Sequence, residues 1–441
     1  MYCHVNLLLW TFSNFSLAQE AEPAVVEYRV ASVTHKVRQK MSLDSPLRGI
    51  IYSGDVFAVG EVVGYNECSA GWAQVSGGYV CLIKTKVIDD APIDLPTMIP
   101  FLPPLPEEEE TANQSSVWNF TSPEEDYFMP TIHAKRDDQH RGRLWKSVES
   151  YEAKEGARWR LSTGRDYRFV DAYETDRGWV LERPNGSIAP LNELYVYGAD
   201  RFFGRELEAH PSQPETSIAW VMNKNGAPIY WTASDESEQF IVLEYRRSVD
   251  VRPSASEGWL ELPMGEEVGY IKETDLREWQ PQPPPSAVTE RDVWIDADLQ
   301  TQMLAVYRGN EMLFVTLMSS AKSEYKTPVG LFQIYDKSTG WDLGSLEGAD
   351  DAYFMERVPF VMHYAPRYAI HSAFWHDDFG HPASHGCLNI SMRDAEYVFN
   401  KISPELPKGW RFVKQSRQFS GSVVRIRNGD EAVPDKRIKP R

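Results

Sequence analysis

The chain has 441 residues, a formal charge of −18 and 42% hydrophobic residues. That length exceeds what one hydrophobic core usually serves, so a modular protein is expected. The acidic balance, with no cluster of Lys and Arg, argues against nucleic acid, because phosphate binding draws its affinity from clustered cations.

At the N-terminus, Val5-Asn6-Leu7-Leu8-Leu9-Trp10-Thr11-Phe12 precedes Ser16-Leu17-Ala18. The run is too short to span a bilayer but fits the apolar region and small-residue cleavage site of a secretory signal, assigned here to residues 1–19. Its weak point is an n-region with His4 and no Lys or Arg. No later stretch approaches 18 apolar residues, so the mature chain is expected to carry no integral membrane segment and to be exported.

Four cysteines occur, at 3, 68, 81 and 387. Removing the signal leaves three, which in an exported protein suggests one pair and one free thiol. Cys68 and Cys81 flank Gly71-Trp72-Ala73-Gln74-Val75 and Gly77-Gly78-Tyr79-Val80, two strands around a Gly turn. A Cys68–Cys81 disulfide is therefore expected, with Cys387 left over.

A Gly-Trp pair followed by alternating apolar residues, a Gly turn and a second short strand occurs at Gly71-Trp72, Gly178-Trp179 and Gly258-Trp259. Short alternating strands of this kind argue small all-β units, each with a Trp as apolar plug. The first, over residues 26–89, resembles a bacterial SH3-like module, and weaker versions cover 130–200 and 217–278. Residues 90–125, rich in Pro and with Glu107 to Glu110, read as a linker. Gln280-Pro281-Gln282-Pro283-Pro284-Pro285 reads as a second spacer, across which few contacts are expected.

The region 288–416 opens with Val293–Asp298 and Gln302–Tyr307, then a Gly309-Asn310 turn into Met312–Ser319, a β-hairpin pattern. Ser391 to Ile402 alone has helical periodicity there. Residues 417–441 are assigned as a tail. The fold class is thus mainly β, with one short helix in the C-terminal domain.

Ser384-His385-Gly386-Cys387-Leu388-Asn389 is the most informative stretch. Gly386 frees the backbone to turn beside a thiol, which suits a loop presenting a nucleophile with N–H groups aimed at one oxygen. A thiolate needs a histidine to take or neutralise its proton. Two candidates exist: His385, which projects to the same side of an extended chain, and His371, 16 residues upstream. Spacing alone leaves both open.

Ile370-His371-Ser372 followed by the Ser384–Asn389 stretch resembles the signature of the L,D-transpeptidase (YkuD) family. Lys326-Thr327-Pro328-Val329-Gly330-Leu331-Phe332 and Pro359-Phe360-Val361-Met362-His363-Tyr364 are similar to its supporting motifs. The resemblance covers under a third of the chain. It implies a β-rich catalytic domain with Cys387 as nucleophile and His371 as base oriented by the Ser372 carbonyl. It further implies His385 as a wall of the acyl pocket and backbone N–H groups near Gly386 and Cys387 as oxyanion hole, with Tyr364, Ser384 and Asn389 at the substrate. Ser372 and Asn389 stand where many members have Gly and Arg, which touches donor recognition rather than chemistry.

The implied reaction is attack on the L-centre carbonyl of a peptidoglycan tetrapeptide stem, loss of D-Ala, and transfer to an amine of a second stem, giving a 3-3 cross-link. Transfer to water would make an L,D-carboxypeptidase. Carbapenems are the implied covalent inhibitors, and the periplasm or cell wall the implied location. A non-catalytic peptidoglycan-binding protein is opposed by the intact His371 and Cys387. A peptidase of the NlpC type is opposed by chain order, since His371 precedes the cysteine. The Phe374–His381 loop, with His376, Asp377, Asp378 and His381, reads as a polar lid rather than a metal site, and no cofactor is expected.

Overall fold

The structure, a computed structural model, describes residues 24–88, 131–198, 202–207, 216–345, 352–416, 420–431 and 433–434. The expected leader and the 90–125 linker lie outside the described residues.

The protein is mainly β. In the C-terminal domain one sheet runs Glu311–Leu317, Met303–Arg308, Val293–Asp298, Val423–Arg427 and Gly330–Gln333 in spatial order. Successive side chains of its strands point to opposite faces. Ile295, Ala297, Leu304, Val306 and Phe314 enter one core, and Trp294, Met303, Ala305, Tyr307 and Val315 enter another. Both faces are covered, so the strands read as nearly continuous apolar runs. Val423–Arg427 lies parallel to Val293–Asp298, with Ile295 opposite Val424. The expected tail is therefore partly an interior strand of this sheet.

The second sheet carries the site. The long strand Phe354–Ala365 pairs with Asp336–Gly344 and with Tyr368–Ser372, and the latter lies parallel to Leu388–Ile390. The helix Met392–Lys401 is capped by Ser391, whose Oγ accepts from Asp394 N at 3.1 Å. It buries Met392, Ala395, Val398 and Phe399. Buried Lys337 donates to Phe399 O at 2.5 Å and Ile402 O at 2.7 Å, satisfying carbonyls at the helix's end.

Two of the preceding units are built into this sheet, and the third packs against the first sheet. Gly71, Gly178 and Gly258, at the three Gly-Trp pairs, all have positive φ (+89°, +98° and +79°), which explains the recurring glycine. Only Trp72 is a buried plug; Trp179 and Trp259 are half-buried, because their faces are partly open. Cys68 and Cys81 are joined in a disulfide with Cα atoms 5.8 Å apart.

In the first unit, Leu47–Ile51 pairs with the catalytic strand Phe412–Lys414, and the Asp55 carboxylate takes Arg411 through bonds of 2.7 to 3.1 Å. In the second, Arg165 and Asp166 pair in parallel with Phe354 and Met355, and Arg183 reaches Glu356 at 2.7 Å. The third lays Ile218, Trp220 and Trp279 on the outer face of the first sheet.

The Pro-rich segment is not a loose spacer. The Gln280 and Pro283 carbonyls accept from Arg427 and Arg425 at 2.6 Å each. Those arginines are in turn paired with buried Asp296 and Asp298 at 2.8 to 3.2 Å. Two buried cations need their remaining donors satisfied, and the proline-rich backbone, with carbonyls and few N–H groups, supplies acceptors.

Candidate active site

The Ala383–Cys387 loop is fixed by hydrogen bonds to its own and neighbouring groups. Ala383 N and Ser384 N both donate to Ser320 O, at 3.0 and 2.9 Å. Ser384 Oγ donates to Cys387 O at 2.6 Å, and Thr327 Oγ1 donates to Gly386 O at 2.9 Å while accepting from Ala321 N at 3.0 Å. Thr327 thus ties the Thr-Pro strand to the nucleophile loop, a role sequence reading attached only to a motif. Gly386 sits at φ +139°, and a Cβ there would lie 2.8 Å from Tyr368 Cε1. Only glycine fits that backbone at that closeness.

Cys387 immediately precedes Leu388, which lies opposite Ile370, so the cysteine falls beside Ala369. His371, two residues further along that strand, shares the face, since alternate residues of a strand point the same way. Cys387 and His371 accordingly line one cleft of about 860 Å³. His371 Nδ1 donates to Ser372 O at 2.8 Å, which leaves Nε2 as the basic nitrogen. Ser372 is itself pinned by its Oγ donating to Pro359 O at 2.8 Å.

Burial sets the electrostatics. It pushes the Cys387 thiol up to about 11, opposed by the Ala369 backbone, and pulls His371 down to about 4, opposed by the Ser372 carbonyl. Both shifts favour the uncharged form of each group. A neutral thiol and a neutral imidazole on one face are the arrangement in which a base can take the thiol proton as attack proceeds.

The other expected residues divide. His385 forms a wall, its ring 4.4 Å from Tyr325 and 4.8 Å from Tyr353. Ser384 lines the cleft, but its hydroxyl is committed within the loop. Gly386 N donates to Ser384 Oγ at 3.0 Å, so this expected oxyanion donor is engaged. Tyr364 is a correction: it is 0% exposed and absent from the cleft lining, with its ring against Phe332. It belongs to the core, close enough to Cys387 to be affected by its charge. Asn389 is buried at the cleft wall, its side-chain amide 2.9 Å from His376 Nε2.

The 374–381 loop is held rather than open: Asp377 pairs with Arg246 of the third unit at 2.5 Å, and Ser319 Oγ donates to the Asp378 carbonyl at 3.0 Å. Lys322, Trp341 and Arg367, which sequence reading did not single out, line the same cleft, as do His363 and Trp375, which it placed only within a motif and a loop. No local signal marks the first three, because they come from separate segments.

The family model for the L,D-transpeptidase catalytic domain (YkuD) matches residues 292–426. A Bacillus subtilis (strain 168) protein named "Putative L,D-transpeptidase YciB" is 26% identical over 189 residues, 40% of this chain and 88% of that protein. The solved Enterococcus faecium L,D-transpeptidase is 22% identical over 31% of this chain and 49% of its own, at a TM-score of 0.25. This chain therefore spans about half of that protein's length. An L,D-transpeptidase from Mycobacterium smegmatis is 17% identical over 53% of this chain and 89% of its own, at a TM-score of 0.26. The family match contains Cys387, His371 and every motif that frames them, and residues 292–426 thus form an L,D-transpeptidase (YkuD) catalytic domain.

Proposed function

We propose that the chain is an exported peptidoglycan L,D-transpeptidase that forms 3-3 cross-links through an acyl-enzyme on Cys387. The observation that carries this reading is the ordered set Cys387, His371 and the Ser372 carbonyl in one cleft, a nucleophile, a base and the group orienting that base. Cys387 attacks the L-centre carbonyl of a tetrapeptide stem, and its proton passes through His371 to the departing amine of D-Ala. The amine of a second stem then attacks the thioester, and Cys387 leaves as the thiol. Lys322 and Arg367 at the cleft supply positive charge for the carboxylates of a stem peptide.

The Cys68–Cys81 disulfide supports export to an oxidising compartment, the periplasm or cell wall. The Enterococcus faecium catalytic domain is known acylated by ertapenem, so a carbapenem is the natural covalent probe of Cys387.

The test is intact mass after incubation with a disaccharide-tetrapeptide. An adduct equal to the donor minus D-Ala, followed by a 3-3 dimer when a second stem is added, is the expected result. An adduct that only hydrolyses would make the enzyme an L,D-carboxypeptidase, and the absence of any adduct would overturn the reading.

A further inference from the structure

Besides His371, His376 and His385, the cleft holds an imidazole for which the acylation step has no use. His363 lies on the long strand Phe354–Ala365, and its Nδ1 is 2.6 Å from Asp336 Oδ1. Both residues are buried, but His363 lines the cleft and Asp336 does not. The carboxylate therefore stands behind the ring, and the edge carrying Nε2 is turned to the cleft. The ring is steadied by Tyr335, stacked at 5.9 Å, and by Trp341, edge-on at 5.4 Å.

Strand register puts this pair in line with the nucleophile. Asp336 lies opposite His363, His363 opposite Ala369, and Ala369 beside Cys387. Residues opposite one another share a face, so the four form a row across the sheet. His363 is two strand spacings, about 10 Å, from Cys387. The residue between them is alanine, which leaves the space above it open.

We propose that His363, oriented by Asp336, is the proton acceptor for the incoming amine in the second half of the reaction. This inference rests on the transpeptidase reading above. The acceptor of a 3-3 cross-link reaches the enzyme as an ammonium ion, which has no lone pair to attack with. His363 Nε2 takes one proton from it. The freed amine then forms the C–N bond to the thioester carbonyl and the C–S bond breaks. The second amine proton passes by way of His371 to the departing sulfur, restoring the thiol, and His363 releases its proton to water. Two bases thereby divide the work: His371 serves the sulfur and His363 serves the acceptor. The negative charge of Asp336 favours the ammonium over neutral competitors at that end of the cleft.

The test separates the two half-reactions in the full-length protein. Acylation by the tetrapeptide donor is followed by intact mass, and the acyl-enzyme is then chased with a stem-peptide amine or with hydroxylamine, which is already unprotonated at neutral pH. His363→Asn is expected to slow transfer to the stem amine by about 100-fold or more beyond any change in its acylation rate, the range for loss of a positioned base. Asp336→Asn should shift transfer in the same direction, by less. Hydroxylamine should discharge the acyl-enzyme of parent and variants at rates within a few fold, because it needs no base.

Equal slowing with both amines, or equal slowing of acylation, would overturn the inference in favour of a structural pair. If His363→Asn melts early, Asp336→Asn alone decides on the same ratio of amine rates. A parent protein that forms no acyl-enzyme would instead refute the proposed function.

Discussion

The third unit should behave as part of the catalytic core, and Trp279 is where this is most sharply testable. Its side chain is 1% exposed and packs with Ile218 and Trp220 on one side and Trp294 and Met303 on the other. Its Nε1 donates to the Tyr307 hydroxyl at 2.8 Å, and the Arg427 guanidinium lies 5.0 Å above its ring. Trp279→Ala removes a large buried side chain at about 3–5 kcal/mol. It also leaves the buried Tyr307 hydroxyl without its donor, at about 1–3 kcal/mol. The sum, about 4–8 kcal/mol, is comparable with the whole stability of a typical domain.

Urea unfolding followed by tryptophan fluorescence and far-UV circular dichroism should show a large loss of stability. Trp279→Phe, which keeps most of the packing and loses the hydrogen bond, should cost about 1–3 kcal/mol. A fragment beginning at Ser286 lacks Trp279 altogether, and should be less stable still. A loss under about 1 kcal/mol for Trp279→Ala, or a Ser286 fragment as stable as the whole, would refute the idea that the units share one core.

Cys387→Ala should abolish adduct formation with donor or carbapenem while changing the melting temperature little, which intact mass and a thermal melt check together. His371→Ala should slow acylation by about 100-fold or more and His385→Ala by much less, and the reverse order in single-turnover kinetics would exchange their roles. With His371 lowered to about 4 and Cys387 raised to about 11, the acylation rate should fall as pH drops through about 4 and stay flat from about 5 to 10; an acidic limb near 6.5 would contradict a buried base. His133, lowered to about 3, and His371 and His376, each lowered to about 4, are uncharged in the fold where the unfolded chain is protonated. Stability is therefore full above about pH 6.5 and lost as pH falls from there towards 4, by up to about 4 kcal/mol per pH unit for three protons, as urea titrations at several pH values would measure. Thiol labelling of the unreduced, unfolded chain from residue 24 onward should modify one cysteine, and reduction should raise that to three.

The sequence determined the local pieces and the catalytic-domain family. Cys387 and Gly386 stood out because a glycine beside a thiol in a tight loop is a local constraint on residue type, whereas His371 was preferred to His385 only through the family resemblance, spacing leaving both open. The helix at Met392–Lys401 was legible for the same kind of reason: an N-cap serine and a 3.6-residue apolar period are local. The Cys68–Cys81 pair could be read from a hairpin whose own register brings the two chains together.

The tertiary structure decided what joins what. Proline-rich residues 280–285 look like a spacer until two arginines, more than 140 residues away, are found buried against their carbonyls. Val423–Arg427 looks like part of a tail because nothing local says that Val293–Asp298 will offer it an edge. Tyr364 carries a hydroxyl suited to a substrate, yet register turns it into the core. Asp336, His363 and Cys387 become neighbours only because three strand pairings are stacked side by side. Hydrogen-bonded register acts between strands far apart in the chain, and no periodicity within one strand encodes which partner it will meet.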